Sequence, residues 1–481
     1  MTNATSSVAW RDGLHLAAMI KTKEISAEEA LEDAILRIGK VNPTLNAVAE
    51  TLYDKARTAL KTNGPSEGPF AGVPTFIKDL FMPVLGAKMR AGSLACAQGV
   101  APLDAELITR LRRAGVTILG TTTSPEFGTC YSTESKLTGA TCNPWSPTHI
   151  AGGSSGGAAA LVAARALPLA HGNDGGGSLR VPASCCGVFG MKPTRGRVPI
   201  GPLIGEGWAG MGINHAITLS VRDSAALLDA TAGMDQGAPY AAPVQNETFL
   251  SALDRPPARL RIGLVIDIAP WTTHVDCRTA VLDAARLCAD LGHEITQTSL
   301  PVDALEFYDT VFTIIGAQTR SFISMLGQMT GHAVNESDLE ARTRIILRDK
   351  GGVSGAAYAA AVDWVHAFGR RMAALFNNFD VLLMPTLAKP PLLLGSLDLD
   401  DDHTLGDLIE RSHSFCPFTA LFNASGQPAM SVPLHWTSNE LPVGVHFAAP
   451  FGGESLLFAL AGQLEKACPW IDQVPPVNAL S

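Results

Sequence analysis

The sequence predicts an α/β fold built as one large domain, and three observations carry that reading. A strand–helix–strand alternation runs from Leu260 to Leu300, an order that lays strands against a covering helix. Candidate core strands recur along the whole chain, from residues 70–81 to Val443–Phe447. The residues with the most chemistry, between 78 and 178, fall inside that span rather than in a unit of their own. A length of 481 residues would by itself allow about three domains. However, the Pro/Gly stretch at 235–245 and the acidic run Asp398–Asp402 read as surface loops too short to be linkers.

The elements follow in order. Ser26-Ala-Glu-Glu29 is a capping-box pattern that opens a helix to about Lys40, with Pro43 as its stop. Leu45–Glu50 reads as a short strand and the next residues as a helix to about Lys61. Residues 63–69 are a polar, Gly/Pro-rich loop. Residues 70–81 read as a buried strand and turn carrying Lys78. Asp104 is the expected cap of a helix through Arg113, and Val116–Leu119 a short strand. Ser155–Ala166 is almost all Ala, Val, Leu and Gly; small apolar residues all round mean a helix packed in the interior. Leu219–Ala232 is an amphipathic helix, Leu260–Ile266 a strand, Arg278–Leu291 a helix and Glu294–Leu300 a strand. The pattern is helical between about 303 and 378. Val381–Met384, Ala429–Pro433 and Val443–Phe447 are further core strands, and Ser455–Glu465 closes with a helix.

Composition bounds the function. Hydrophobic residues make up 46% and charged residues 17%, enough for a large core and too apolar for disorder. A formal net charge of −9 with no basic run argues against nucleic acid as a partner. No apolar stretch reaches about 18 residues, so no membrane span is expected. Met1–Asp12 lacks the basic and apolar regions of a signal peptide. Nine cysteines show no C-x-x-C pair, and adjacent Cys185 and Cys186 cannot form a relaxed disulfide; a reducing cytoplasm is the natural reading.

Two serine–glycine clusters stand out, Gly152-Gly-Ser-Ser-Gly-Gly157 and Asp174-Gly-Gly-Gly-Ser-Leu-Arg180, with Lys78 upstream in the apolar run Gly72–Asp79. Gly175, Gly176 and Gly177 before Ser178 let successive N–H groups point into one concavity, as an oxyanion hole requires; a tight turn before a helix uses the same residues. Ser154 or Ser155 is equally readable as a helix N-cap, and Ser155 is the better candidate. Gly152-x-Ser154-x-Gly156 also fits a nucleophile elbow, but Pro147 spoils the strand that motif needs. Lys78 is either a strand-end lysine paired with Asp79 or a buried amine shifted toward its neutral, basic form. Asp174 and Arg180 read as an ion pair supporting the loop rather than as substrate ligands. Gly205-Glu-Gly-Trp-Ala-Gly210 matches G-x-G-x-x-G without a strand before it or a helix after it, and reads as a chance match. There is no H-E-x-x-H, no zinc-like cysteine spacing and no S-x-x-K, so neither a metal nor a cofactor is expected.

Together these residues resemble the amidase signature family. The likeness continues through Gly190-Met-Lys-Pro-Thr-Arg-Gly-Arg197, Val221-Arg-Asp223, Gly426-Gln-Pro428 and Leu441-Pro-Val-Gly444. It implies a single α/β/α domain around a large mixed, mostly parallel sheet. It also implies a Ser–cis-Ser–Lys triad: Ser178 as nucleophile, Ser154 as the bridging serine entered by a cis peptide, and Lys78 as base. Many members carry a threonine or similar residue at the place of Gly175, and Gly-Thr-Asp at the place of Gly172-Asn-Asp174. The run His171–Ser178, with Ser431–Trp436 and Val445–Phe447, looks most like the branch that hydrolyses cyclic 6-aminohexanoate oligomers. The implied activity is hydrolysis of small linear or cyclic amides through an acyl-enzyme. An aryl-acylamidase, a carbamate hydrolase and a partner-dependent amidase-like subunit are the alternatives. Thr129 and Cys130 are expected to line the substrate pocket, with residues 303–420 supplying the rest. A homodimer is admissible by analogy, though no sequence feature indicates one.

Overall fold

The computed structural model describes residues 8–330 and 333–480. In chain order the strands are β1 (Val48–Thr51), β2 (Pro74–Lys78), β3 (Thr117–Thr122), β4 (Glu134–Ser135), β5 (Gly139–Ala140), β6 (Leu169–Asp174), β7 (Phe189–Lys192), β8 (Ile213–Thr218), β9 (Arg261–Leu264), β10 (Glu294–Gln297), β11 (Val381–Pro385), β12 (Ala429–Trp436) and β13 (Pro442–Ala448). Eight strands form one sheet in the order β10-β9-β11-β13-β12-β7-β8-β6. A second sheet runs β1-β3-β2, and β4 and β5 pair as a small hairpin.

Strand alternation explains the layering. In β11, Val381 and Leu383 join an apolar cluster with residues of the helices Val275–Asp290 and Glu454–Ala467. Leu382 and Met384 join another with the helices Ala304–Thr330 and Gly355–Leu375. Successive side chains point to opposite faces, so a strand apolar at every position needs helices on both sides. The result is the α/β/α arrangement.

The sheet is mixed, but the expectation that it is mostly parallel fails. β9 pairs in parallel with β10 and β11. The contacts β11–β13, β13–β12, β12–β7, β7–β8 and β8–β6 are antiparallel. Connection length accounts for two of these pairings. A helix carries the chain from β9 to β10, which permits parallel pairing, whereas β12 and β13 are joined only by residues 437–441, and so short a link forces them antiparallel.

The two sheets meet where β2 runs beside β6. No ladder joins them there; side chains do it instead. Thr75 Oγ1 donates to the Leu169 carbonyl at 3.1 Å, and the Lys78 N–H donates to His171 Nδ1 at 3.3 Å. This join sets the end of β2 against the end of β6.

Local expectations differ from the structure in two places. Ser26 does form the capping box, but the helix continues as Ala27–Leu45 with Pro43 inside it. Pro43 has no N–H to give the Gly39 carbonyl, yet the helix runs past it and ends at Asn46 in the left-handed region. Asp104 caps nothing: the helix Glu106–Arg113 starts at Ala105 without a side-chain cap. Asp104 instead binds Arg112 and accepts from the Leu85 N–H. All nine cysteines are free thiols. Among the described residues no helix is long and apolar enough to cross a membrane.

The Gly190–Arg197 segment is tied to the C-terminal helix by a buried ion pair. Arg197 Nε lies 2.9 Å from Glu454 Oε1 and Nη2 lies 3.2 Å from Oε2, while the Thr194 N–H donates to the same carboxylate. Replacing Arg197 with Met strands that carboxylate in the interior. The expected loss is about 3–5 kcal/mol, read from the urea unfolding midpoint, with Arg197→Met/Glu454→Gln recovering part of it.

Candidate active site

Lys78 ends β2 and is fully buried. Its Nζ lies 2.7 Å from Ser154 Oγ and 2.6 Å from Asn173 Oδ1. Asn173 Nδ2 donates to the Leu80 carbonyl at 2.8 Å, which turns the amide so that its oxygen faces the lysine. Burial pushes the Lys78 pKa well below the ordinary value of 10.5, opposed by the nearby Asp174 carboxylate. A neutral amine has donors and one lone pair. With an N–H committed to Asn173, the lone pair is available to the Ser154 hydroxyl, which is the geometry of a general base.

Ser154 enters through a cis Gly153–Ser154 peptide bond, as the resemblance implies. The interior helix starts immediately afterwards as Gly156–Ala163. Ser155 occupies its N-cap position, yet its side chain makes no capping bond. It donates to the Asn173 carbonyl at 3.2 Å instead. Thr133 Oγ1 takes the capping role, accepting from the Gly156 N–H at 3.1 Å. The Ser155 N–H donates to the Ser178 carbonyl at 3.3 Å, tying the two serine loops together. Among the described residues no hydrogen bond joins the Ser154 and Ser178 hydroxyls directly.

Ser178 lies in the loop between β6 and the helix Arg180–Cys186. Asp174 shapes that loop. Its two oxygens accept from the N–H groups of Gly177 (2.7 Å) and Leu179 (3.1 Å), from Arg180 Nε and Nη2 (2.9 Å each) and from Asn423 Nδ2 (2.9 Å). Burial raises the Asp174 pKa, but the Arg180 guanidinium outweighs it and holds the carboxyl well below the usual range. Asp174 and Arg180 therefore act as the expected support. Gly177 differs from expectation: its N–H is taken by Asp174 and is not free for an oxyanion. The N–H groups of Gly175, Gly176 and Ser178 have no such partner among the described residues. Tyr131 and Thr419 hydroxyls donate to the Gly176 carbonyl at 3.1 and 2.6 Å, which fixes the peptide between Gly176 and Gly177.

Ser178 opens onto a cleft that spans about 520 Å³ when the open solvent at its mouth is included. Thr129 and Cys130 line it, and Tyr308, Val311, Phe312, Ile315, Ser412 and His413 come from the 303–420 region. The His413 ring stacks on Tyr308 with centroids 3.4 Å apart. Every titratable side chain on the wall is held neutral by burial. It drives His413 down to about 3 and raises the Cys130 thiol and the Tyr131 and Tyr308 phenols. The wall therefore carries no charge. Among the described residues no group of His, Cys, Asp and Glu is placed to hold a metal ion.

Sequence reasoning missed Asn173, Tyr131, Trp208, Thr419 and Asn423. Asn173 was legible, since it replaces a threonine of the family pattern beside the nucleophile loop. Thr419 and Asn423 lie some 240 residues from the loop they support and carry no local signal.

Known proteins resemble this chain over nearly its whole length. The amidase family model matches residues 29–458. A 6-aminohexanoate-cyclic-dimer hydrolase from Pseudomonas sp. (strain NK87) is 36% identical, over 97% of this chain and 96% of its own. A solved 6-aminohexanoate cyclic dimer hydrolase complexed with substrate superposes with a TM-score of 0.92 at 35% identity, covering 97% of this chain and 98% of that one. A bacterial aryl acylamidase of the amidase signature family superposes with a TM-score of 0.88 at 28% identity, over 97% and 99% of the two chains.

The buried lysine has a signature in stability. The unfolded chain holds the Lys78 proton up to the ordinary lysine value, whereas the folded site prefers the neutral amine. Folding therefore releases a proton between the lowered and ordinary values, and this contribution to stability rises with pH across that window. Lys78→Met removes the dependence. The stability difference between the two proteins should move in favour of the unaltered one from pH 7 to pH 10, as measured by urea unfolding at each pH. A pH-independent difference means that the folded lysine is charged.

Proposed function

The chain belongs to the amidase family and is an amidase of carbon–nitrogen bonds other than peptide bonds, and we propose that it works through Ser178, Ser154 and Lys78 on neutral amides. The observation that carries this reading is the 2.7 Å bond between the buried Lys78 Nζ and Ser154 Oγ.

In the proposed cycle the neutral Lys78 amine takes the Ser154 proton while Ser154 takes that of Ser178. Substrate entry brings the two hydroxyls into contact, since such bonds often tighten only in the complex. Ser178 Oγ attacks the amide carbonyl. The N–H groups of Gly175, Gly176 and Ser178 receive the oxyanion. Losing one such donor typically costs about 3–4 kcal/mol of transition-state stabilisation. Ser154 then returns the proton to the departing nitrogen, and the C–N bond breaks. Water repeats the sequence on the acyl-enzyme, releasing the acid and restoring Ser178.

The uncharged cleft wall supports neutral substrates, because a charged group left unpaired there would lose its hydration. A cyclic amide of the 6-aminohexanoate kind fits this wall, and the likeness to cyclic-dimer hydrolases supports the same choice. Anilides are the second reading, supported by the likeness to an aryl acylamidase.

Three measurements test this reading. Treating the purified chain with a fluorophosphonate should place a single adduct on Ser178, absent in Ser178→Ala; an adduct surviving that change removes Ser178 as nucleophile. Lys78→Ala should lower kcat/KM by about 10²–10⁴-fold. Across a panel of cyclic amide, linear amide, anilide and carbamate, neutral members should exceed their charged analogues by roughly 100-fold in kcat/KM. A preference for the charged analogues would overturn the reading of the cleft.

A further inference from the structure

Gly175 departs from the threonine-like residue of the family pattern, and the structure supplies a reason. A Cβ at Gly175 would lie 2.6 Å from Trp208 Cζ3 and 2.7 Å from Cε3, inside any tolerable contact in a close-packed interior. Gly175 is not among the residues at positive φ, whereas Gly177 has φ +139°. The backbone requires glycine at 177; the indole of Trp208 requires it at 175.

Trp208 is held in that position. Its φ is 51°, a left-handed conformation unusual for a bulky side chain. Such an outlier persists only where its surroundings fix it. The Trp208 N–H donates to Gln318 Oε1 at 2.6 Å, and Gln318 Nε2 donates to the Tyr358 hydroxyl at 3.0 Å. The Met211 N–H donates to the Trp208 carbonyl at 3.2 Å. The half-buried indole lines the same cleft as Gly175, Gly176 and Ser178. The Gly205–Gly210 segment, which matches a nucleotide-binding pattern by chance, is the turn that delivers this tryptophan.

We propose that Trp208 is a specificity-determining residue: its ring occupies the space over the 175–178 loop and restricts substrates to acyl chains unbranched beside the scissile carbonyl. This rests on Ser178 being the nucleophile. A side chain at position 175 would occupy the space that the indole fills here, so glycine and tryptophan act as a matched pair.

The test uses the purified chain with hexanoyl and 2-methylhexanoyl p-nitroanilides, with fluorophosphonate labelling of Ser178 as control. Trp208→Ala should raise the ratio of branched to unbranched kcat/KM by about tenfold or more, the scale of one methyl group in an apolar pocket. Trp208→Phe should raise it less. Gly175→Ala should lose most acylation, and adding Trp208→Ala to it should restore acylation to the level of Trp208→Ala alone. An unchanged ratio in both Trp208 variants with labelling intact overturns the proposal. So does a Gly175→Ala defect that persists without the indole. Failure of Ser178 to label in the unaltered protein instead removes the nucleophile assignment on which the proposal rests.

Discussion

The site depends on one buried carboxylate. Asp174 is fully buried and receives donors from its own loop, from Arg180 and from Asn423. Arg180 in turn donates to the Thr419 carbonyl and Asn423 Oδ1, and lies 3.0 Å from His446 Nε2. Two segments more than 200 residues apart are thereby locked to one another through a pair of opposite charges. Breaking such a pair leaves an uncompensated charge in the interior, so the loop bearing Ser178 has little freedom to rearrange. Rigid placement of donors is what makes an oxyanion site effective.

The same carboxylate bears on Lys78. Burial favours the neutral amine, and the negative charge of Asp174 opposes that shift. Arg180 offsets the opposition by neutralising Asp174 at 2.9 Å. A lysine can therefore sit in a fully buried position and still be poised near its uncharged form, without an adjacent cation to repel its proton. Asn173 completes the arrangement with an uncharged acceptor for Nζ. An aspartate at 173 would stabilise the ammonium and work against the base.

The legible parts of the sequence were those with local chemistry. Lys78, Ser154 and Ser178 each sit in a short run whose composition is odd for its setting, and the structure brings Lys78 and Ser154 into direct contact. The interior helix was readable because small residues all round have few other uses. β6 and β8 were not read as strands, although most of their residues are buried. Their Gly, Asn and His residues break the apolar pattern because the strands carry or border the site; a local rule fails where function occupies the position. Strand direction was not legible either, since pairing is set by connections and not by the strands themselves. Nor did anything at Thr419 or Asn423 mark them as partners of a loop so distant in the chain.

In the proposed reading, chemistry and selectivity come from different parts of the chain, and the hydrogen bonds suggest why they could vary separately. The groups proposed to handle protons lie between residues 78 and 178, in a frame pinned mostly to backbone: Asn173 to the Leu80 carbonyl, Ser155 to the Asn173 carbonyl, the Ser155 N–H to the Ser178 carbonyl. Much of the cleft wall is made of side chains from 308–315, 412–420 and the turn around Trp208. Most of them are held by apolar packing, with Trp208 hung on Gln318. Exchanging one apolar wall residue for another alters shape without leaving a buried polar group of the triad unpaired. Exchanging Asn173, Asp174 or Arg180 instead breaks hydrogen bonds that orient Lys78 or the loop bearing Ser178. Gly175 is where the two sets touch, being both a proposed oxyanion donor and the floor beneath the indole. A change there cannot be neutral for either unless Trp208 changes with it.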